Sequence, residues 1–254
     1  MDRNFDGLSA RFKQQIYGTL KGQLRLKMLD LDLEQCLPNL NERPLNVLDV
    51  GGGMGQFSSA LAAQGHNVTL TDISQEMLDN AEAIYEEVAP NSSPTFICAS
   101  LQELPSRLPN KKFDLVLNHA VLEWLVDPKQ AVEMLSEFLE PEGVLSLMFY
   151  NRHAIVWRNL VNGSRQRAHN KHFHHGKNQL MPQNPLDPLE VHSWLTELKM
   201  IELRWRGIRC VHDHMPKAMR DQKSLNEFVE IESEIGLKAP YRDLGRYVHM
   251  LFKK

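Results

Sequence analysis

The stretch Val47-Leu48-Asp49-Val50-Gly51-Gly52-Gly53-Met54-Gly55-Gln56 constrains this chain more than any other. An apolar run suited to a buried strand enters a glycine cluster and leaves it as a helix. Glycine permits positive φ and lets a ligand reach main-chain atoms that a Cβ would shield, while the first amides of the helix are unpaired donors. Such a turn predicts a nucleotide site at the end of a parallel sheet.

The spacing narrows the ligand. Counting from Gly51, Gln56 stands where the third glycine of G-x-G-x-x-G would fall, which disfavours a dinucleotide, and no G-x-x-x-x-G-K-[ST] motif supplies a phosphate cradle. Thr71-Asp72-Ile73-Ser74 puts an acid at the end of a second strand, where a carboxylate can accept hydrogen bonds from ribose hydroxyls. Adenosine is the expected ligand, and the lesser alternative is that Asp72 or Ser74 only caps the following helix.

Around this turn, short apolar runs alternate with helical patterns, the mark of βαβ units. Strands are predicted at 46–50, 67–71, 95–99, 113–118 and 143–149, and helices near 55–64, 75–88 and 128–139. Upstream, 5–37 reads as amphipathic helix broken at Tyr17-Gly18-Thr19, with Leu24, Leu26, Leu29 and Leu31 as core positions, packing over the sheet mouth. Downstream follow a helix at 188–197, a strand at 201–211, a charged helix at 223–235 and a last strand at 246–252.

Composition enters as a bound. A chain of 254 residues, 42% hydrophobic, builds one sizeable core, so residues 1–254 are read as a single domain with a helical cap at 1–42. No membrane-length apolar segment or apolar leader is visible, and Cys36, Cys98 and Cys210 are too few for a disulfide framework, so a cytoplasmic location is expected. Net charge is −3, yet 152–186 holds six Lys or Arg, five His and no acid. That basic insertion, taken as 151–187, would project over the active site and could meet phosphates, with Trp157 or Phe173 stacking an unpaired base; a merely solvated loop is the alternative. His169, His172, His174 and His175 lack nearby carboxylate or thiolate partners, so no metal is expected.

The hydrophobic-Asp-x-Gly-Gly-Gly-x-Gly pattern followed by Asp72 resembles the class I S-adenosylmethionine-dependent methyltransferases. Further stretches extend the likeness end to end: Arg3-Asn4-Phe5-Asp6, Lys21-Gly22-Gln23-Leu24-Arg25, His119-Ala120-Val121-Leu122-Glu123-Trp124, Ser146-Leu147-Met148-Phe149-Tyr150-Asn151 and Leu244-Gly245-Arg246-Tyr247. Together they are similar to the bacterial tRNA 5-carboxymethoxyuridine methyltransferases. The resemblance implies an α/β Rossmann-like fold, a seven-stranded mostly parallel sheet with a reversed last strand. It implies S-adenosylmethionine as cofactor, held by Arg25, Gly51, Gly52, Gly53, Asp72, Leu101, Gln102 and His119. Leu101 departs from the small residue of the family pattern, so its backbone contact is the part that carries over. The implied reaction methylates the carboxylate of 5-carboxymethoxyuridine at the wobble position (U34) in a tRNA anticodon loop, yielding the methyl ester.

The chemistry asks for no catalytic acid or base. A sulfonium is a strong leaving group and a carboxylate with a pKa near ~4 is ionised at neutral pH, so orientation and exclusion of water would dominate. Candidates for the acceptor end are Tyr17, Tyr150, Asn151, Arg209, Arg246 and Tyr247, the arginines and the polar groups of Tyr150 and Asn151 for the carboxylate, and Tyr17 and Tyr247 for stacking the uracil. A small-molecule carboxyl or hydroxyl methyltransferase, or a catalytically silent cofactor-binding protein associated with RNA, remain open as alternatives.

Overall fold

The computed structural model describes residues 19–164 and 184–254. Strands β1 (Asn46–Val50), β2 (Asn67–Asp72), β3 (Thr95–Cys98), β4 (Phe113–His119), β5 (Leu139–Tyr150), β6 (Ile201–Ile208) and β7 (Tyr247–Lys253) form one sheet of order β3-β2-β1-β4-β5-β7-β6. The first five run parallel, and β7 inserts antiparallel between β5 and β6. Strand order reverses between β1 and β4, the place where parallel sheets open a crevice for ligands. Helices α1 (Leu20–Cys36), α2 (Gln56–Ala63), α3 (Gln75–Val88), α4 (Pro128–Glu137), α5 (Arg152–Val161), α6 (Pro188–Glu197) and α7 (Leu225–Ile235) cover the sheet.

The central strands are buried on both faces, which is why they read as continuous apolar runs rather than alternating ones. Around them lie two large apolar clusters. One joins β4, β5 and β7 to α4 and α6, and the other joins β1 and β2 to α2 and α3 through Leu61, Leu70, Leu78 and Tyr85. Helix starts follow local chemistry: Ser74 accepts from the Met77 amide (3.2 Å), and Asp127 accepts from that of Gln130 (2.9 Å) ahead of Pro128.

The seven strands and the reversed last one agree with expectation, and several boundaries move. Strand five begins at Leu139 rather than Gly143: Phe113 pairs with Leu139, the register then shifts, and Glu142 takes φ +67°, so Pro141–Gly143 forms a bulge within the strand. Strand six stops at Ile208 instead of Val211 because Arg209 turns the chain with φ +63°. The basic segment starts as the helix α5, capped by Asn151, where the sequence suggested only an insertion. In α1, Leu24 and Leu29 are buried as expected, but Leu26 and Leu31 are half-buried and Met28 and Leu33 fill the core instead. The helix packs against β6 and α7 and reaches the sheet mouth through Arg25, Leu26 and Leu29.

Candidate active site

The crevice is a cavity of about 190 Å³ at the carboxyl ends of β1, β2, β4 and β5, roofed by α1. Its floor is the glycine turn. Gly51, Gly53 and Gly55 take φ of +68°, +56° and +68°, the left-handed region that other residues enter at a cost of about 1–2 kcal/mol. A Cβ on Gly51 would also stand 2.7 Å from Val121 Cγ2, and one on Gly52 would stand 2.5 Å from Asp49 Oδ2. The turn is pinned to β2: the amides of Gly51 and Gly52 donate to the Thr71 carbonyl (2.8 and 3.1 Å), and that of Gly53 donates to Asp72 Oδ2 (2.9 Å). Asp72 Oδ1 accepts from the Ser74 amide (2.9 Å), so this carboxylate organises the loop and the start of α3 while lining the cavity.

Asp49 lies beneath the turn, 4% exposed, and burial raises its carboxyl to about 6, moderated by a hydrogen bond from Ser58 and reinforced by the nearby Asp72. Asp49 has no role legible from the motif's spacing, although an acid inside an apolar strand beside glycines is itself a signal. Ile73, Leu101, Val121 and Leu125 give the adjoining wall an apolar surface suited to a flat ring. Leu101 lines the cavity; Gln102, in the same short turn, is exposed and does not.

At the other wall, Arg25 is 7% exposed, lines the cavity and lies with Cζ 5.6 Å from the centre of the Tyr247 ring. His119 ends β4. Its Nε2 is 2.8 Å from Ser146 Oγ, and burial, with the Arg25 guanidinium nearby, holds it well below the ordinary histidine range. Gln56 Oε1 and Asn118 Oδ1 are buried acceptors in residues lining the cavity, with no hydrogen-bond partner among the described residues. Arginine for a carboxylate, acceptors for ammonium and hydroxyl groups, and an apolar slot for a base together fit an amino acid joined to adenosine.

Beyond Arg25 and His119 the cavity opens on Tyr150 and Tyr247. Their rings are 4.4 Å apart, and the Tyr247 hydroxyl donates to that of Tyr150 (2.9 Å). Arg209 Cζ lies 5.5 Å from the Tyr247 ring centre and Arg246 Cζ 5.1 Å from that of Tyr150. Burial would raise Tyr247, but Arg25, Arg209, its hydrogen bond to Tyr150 and Arg246 hold it below the usual phenol range; burial pushes Tyr150 the other way.

Two expected acceptor contacts are otherwise occupied. Asn151 is fully buried, its amide donating to the carbonyls of Asp243 and Gly245 (2.8 and 3.0 Å) while its oxygen caps α5 (2.9 Å). Arg209 makes a two-point pair with Asp213 (2.8 and 2.5 Å), whose carboxyl lies far below its ordinary value despite burial because His212 and Arg209 both bind it. Arg209 instead turns toward a second cavity of about 300 Å³, lined also by Lys21, Arg158, His212 and Arg220. Tyr17, Phe173, the four clustered histidines and the segment 165–183 lie outside the described residues.

Comparison with known proteins agrees with this geometry. Residues 48–147, the span from the glycine turn to β5, match the family model described as a methyltransferase domain. The magnesium protoporphyrin IX methyltransferase of Synechocystis PCC 6803, solved with bound SAH, superposes with a TM-score of 0.67 at 16% identity, covering 98% of this chain and 96% of that one. The plantazolicin methyltransferase BpumL, also solved with SAH, gives 0.61 at 17% identity, covering 98% and 91%. Fold and site thus define a methyltransferase of Rossmann-like architecture. The "tRNA 5-carboxymethoxyuridine methyltransferase" of Escherichia coli K12 is 38% identical over 253 residues, covering 100% of this chain and 97% of the relative. A "ubiquinone biosynthesis O-methyltransferase" of Rickettsia canadensis is 30% identical over 125 residues, covering only 49% of this chain and 51% of the relative. The chain belongs to the tRNA 5-carboxymethoxyuridine methyltransferase family.

Proposed function

We propose that this protein transfers the methyl group of S-adenosylmethionine to the carboxylate of 5-carboxymethoxyuridine at the wobble position of tRNA, forming the methyl ester. The observation that carries the reading is one continuous cavity. It runs from an adenosine-shaped end at Asp72 and Leu101, past Arg25 and His119, to an aromatic mouth under three arginines.

In this assignment S-adenosylmethionine supplies the electrophilic methyl group, and the chain's own residues orient it. Asp72 faces the ribose, and Leu101 and Ile73 cover the adenine. Arg25 clamps the methionine carboxylate, and His119 meets its ammonium group. Gly51, Gly52 and Gly53 keep side chains out of the way. Gln102, exposed and outside the cavity lining, takes no part in this arrangement. Tyr247 and Tyr150 stack the uracil, and Arg25, Arg209 and Arg246 set a positive potential there without pairing tightly with the nucleophile. No proton leaves an acceptor that is already ionised, so kcat/KM is expected to stay level with pH above the carboxylate pKa near ~4 until Tyr247 ionises.

The second cavity supports a polynucleotide over a small acceptor. Lys21, Arg158, Arg209 and Arg220 surround it against the single acid Asp213, beside Tyr247 and at the root of the basic segment. Phosphates of the anticodon loop are its natural occupants. No helix among the described residues is long and apolar enough to cross a membrane, in keeping with an enzyme that meets tRNA in the cytoplasm.

The test is incubation with methyl-labelled S-adenosylmethionine and tRNA from a strain lacking the gene, followed by nucleoside mass spectrometry. Label on 5-carboxymethoxyuridine as an alkali-labile ester is expected. Cofactor binding with no label on tRNA that contains the acceptor would overturn the assignment and favour a small acceptor or a silent binder.

A further inference from the structure

Polar side chains inside the centre of the sheet need a reason, and β5 and β7 bury two of them side by side. Ser146 and His249 are both fully buried. Ser146 Oγ lies 2.8 Å from His119 Nε2 on one side and 2.9 Å from His249 Nε2 on the other. His249 Nδ1 lies 2.8 Å from Oδ2 of Asp32 on α1, which is also fully buried. Arg206 Nε meets both oxygens of Asp32 (2.8 and 2.9 Å), and Arg204 Nε lies 3.3 Å from Oδ1. An unbroken chain of hydrogen bonds therefore runs from an anchored carboxylate, through the sheet, to the wall of the cofactor cavity.

The direction of that chain follows from valence. An ionised carboxylate only accepts, so His249 must carry its proton on Nδ1. A neutral imidazole then has a lone pair on Nε2, which takes the Ser146 hydroxyl proton, and the hydroxyl oxygen is left to accept from His119 Nε2–H. His119 thus has no proton on Nδ1, the ring nitrogen with no partner among the described residues, in a side chain that lines the cavity. Were His249 doubly protonated, both hydrogen bonds of Ser146 would reverse and His119 would present Nδ1–H instead. The charged and titratable groups facing His249 and Ser146 are Asp32, Arg204 and Arg206 from α1 and β6 and His119 from β4, with Arg25 beyond His119. Arg206 and Arg204 already face the single negative charge of Asp32, so a second proton on the buried His249 would set three positive groups around one carboxylate.

We propose that Asp32, His249 and Ser146 are positioning residues that lock His119 as its Nε2–H tautomer, so that Nδ1 accepts a hydrogen bond from the ammonium group at the amino-acid end of the cofactor. This rests on the S-adenosylmethionine reading of the same cavity. The relay explains why two polar residues interrupt otherwise apolar strands, and why α1 sends an acid into the core as well as Arg25 to the cavity. An imidazole free to choose its tautomer would meet the ammonium with a donor part of the time.

Two measurements test it. In the intact wild-type protein saturated with S-adenosylhomocysteine, side-chain ¹⁵N NMR is expected to show His119 with a protonated Nε2 and an unprotonated Nδ1. The reverse tautomer, or a mixture, overturns the proposal. In calorimetry, Ser146→Ala is expected to weaken S-adenosylhomocysteine about tenfold, the worth of a hydrogen bond to a charged group. It should leave 5′-methylthioadenosine, which lacks the amino-acid end, within twofold of wild type, and Ser146→Thr should restore most of the loss by restoring the hydroxyl. Equal weakening of both ligands by Ser146→Ala would assign the network a purely structural role and sink the relay. Failure of the wild-type protein to bind S-adenosylhomocysteine at all would instead remove the cofactor reading beneath it.

Discussion

The two ends of the active cavity are built from different materials. The adenosine end is mostly backbone: a turn of glycines hung by amide bonds on β2, with Asp72 fixing the loop and Asp49 buried below it. The acceptor end is side chains alone, a tyrosine pair from β5 and β7 under Arg25, Arg209 and Arg246 from three separate segments. A backbone site has no rotamers to rearrange, so it tolerates no added atom. A site of paired, stacked side chains keeps its shape when one member is trimmed and loses charge or area in increments. Substitutions should accordingly act steeply at one end and gradually at the other.

The steepest effect is expected at Gly51. Gly51→Ala adds a Cβ at φ +68° and 2.7 Å from Val121, so the turn must move and carry its amides with it. Calorimetry should show cofactor affinity falling at least about a hundredfold, roughly 3 kcal/mol, consistent with the strain of forcing a non-glycine residue into such a turn. Affinity within threefold of wild type would mean that the turn is not held as rigidly as its hydrogen bonds imply.

Asp49 gives an effect of similar size on stability rather than affinity, and there the substitution gains. Its carboxyl, at about 6 in the fold, stands above the ~3.9 of an unfolded chain, so between these values the native state keeps a proton that the unfolded state releases. Stability therefore falls as pH rises from about 4 to 6, and above that range the native state carries the whole cost, about 3 kcal/mol. Asp49→Asn should match wild type near pH 4 and exceed it at pH 7 by up to that amount in urea unfolding. Parallel stability curves for the two proteins would show that this carboxylate is better solvated than its burial suggests.

Arg25 belongs to both ends and so sharpens the comparison. Arg25→Ala removes a charge-assisted clamp and one cation above Tyr247, and cofactor affinity should drop about thirtyfold. Tyr247 should also titrate nearer the ordinary phenol value, because the strongest of the charges lowering it is gone. Ultraviolet difference titration reads this directly. An unchanged Tyr247 titration alongside the affinity loss would confine Arg25 to the cofactor end.

How far each end was legible in the sequence follows from the same contrast. The backbone-built end occupies one continuous run, Val47–Gln56, and an acid at the next strand end, so spacing alone exposed it. The tyrosine pair of the acceptor end joins residues 97 positions apart, and the Asp32–His249–Ser146 chain joins residues 103 and 217 apart, because β7 inserts between β5 and β6. Position at the mouth of the sheet made Tyr150, Arg209 and Tyr247 candidates, but nothing in the sequence said that Asp213 already holds Arg209, or that Asn151 is consumed in capping α5 and tying down the Asp243–Gly245 turn. A faint signal for the relay did exist: a serine and a histidine in strands otherwise apolar. Reading it required knowing which strands are neighbours, and that is a property of topology rather than of periodicity.

The smallest single effects belong to the basic rim. Lys21 and Arg158 line the second cavity with no ion pair among the described residues, whereas Arg209 is paired to Asp213. If phosphates of the anticodon loop sit there, each unpaired cation contributes through counterion release, which is diffuse and additive rather than cooperative. Lys21→Ala and Arg158→Ala should each raise KM for tRNA only about threefold to fivefold near physiological salt, leave cofactor affinity and kcat unchanged, and reduce the slope of log affinity against log salt by about 0.7 per charge removed. The double variant should show the sum of the two slopes. A fall in kcat, or a weakened cofactor, would mean that the rim shapes the reacting end and that the two ends are mechanically joined. An unaltered salt slope would place the phosphates elsewhere, leaving this cavity a consequence of how α1, α5 and the turn after β6 meet.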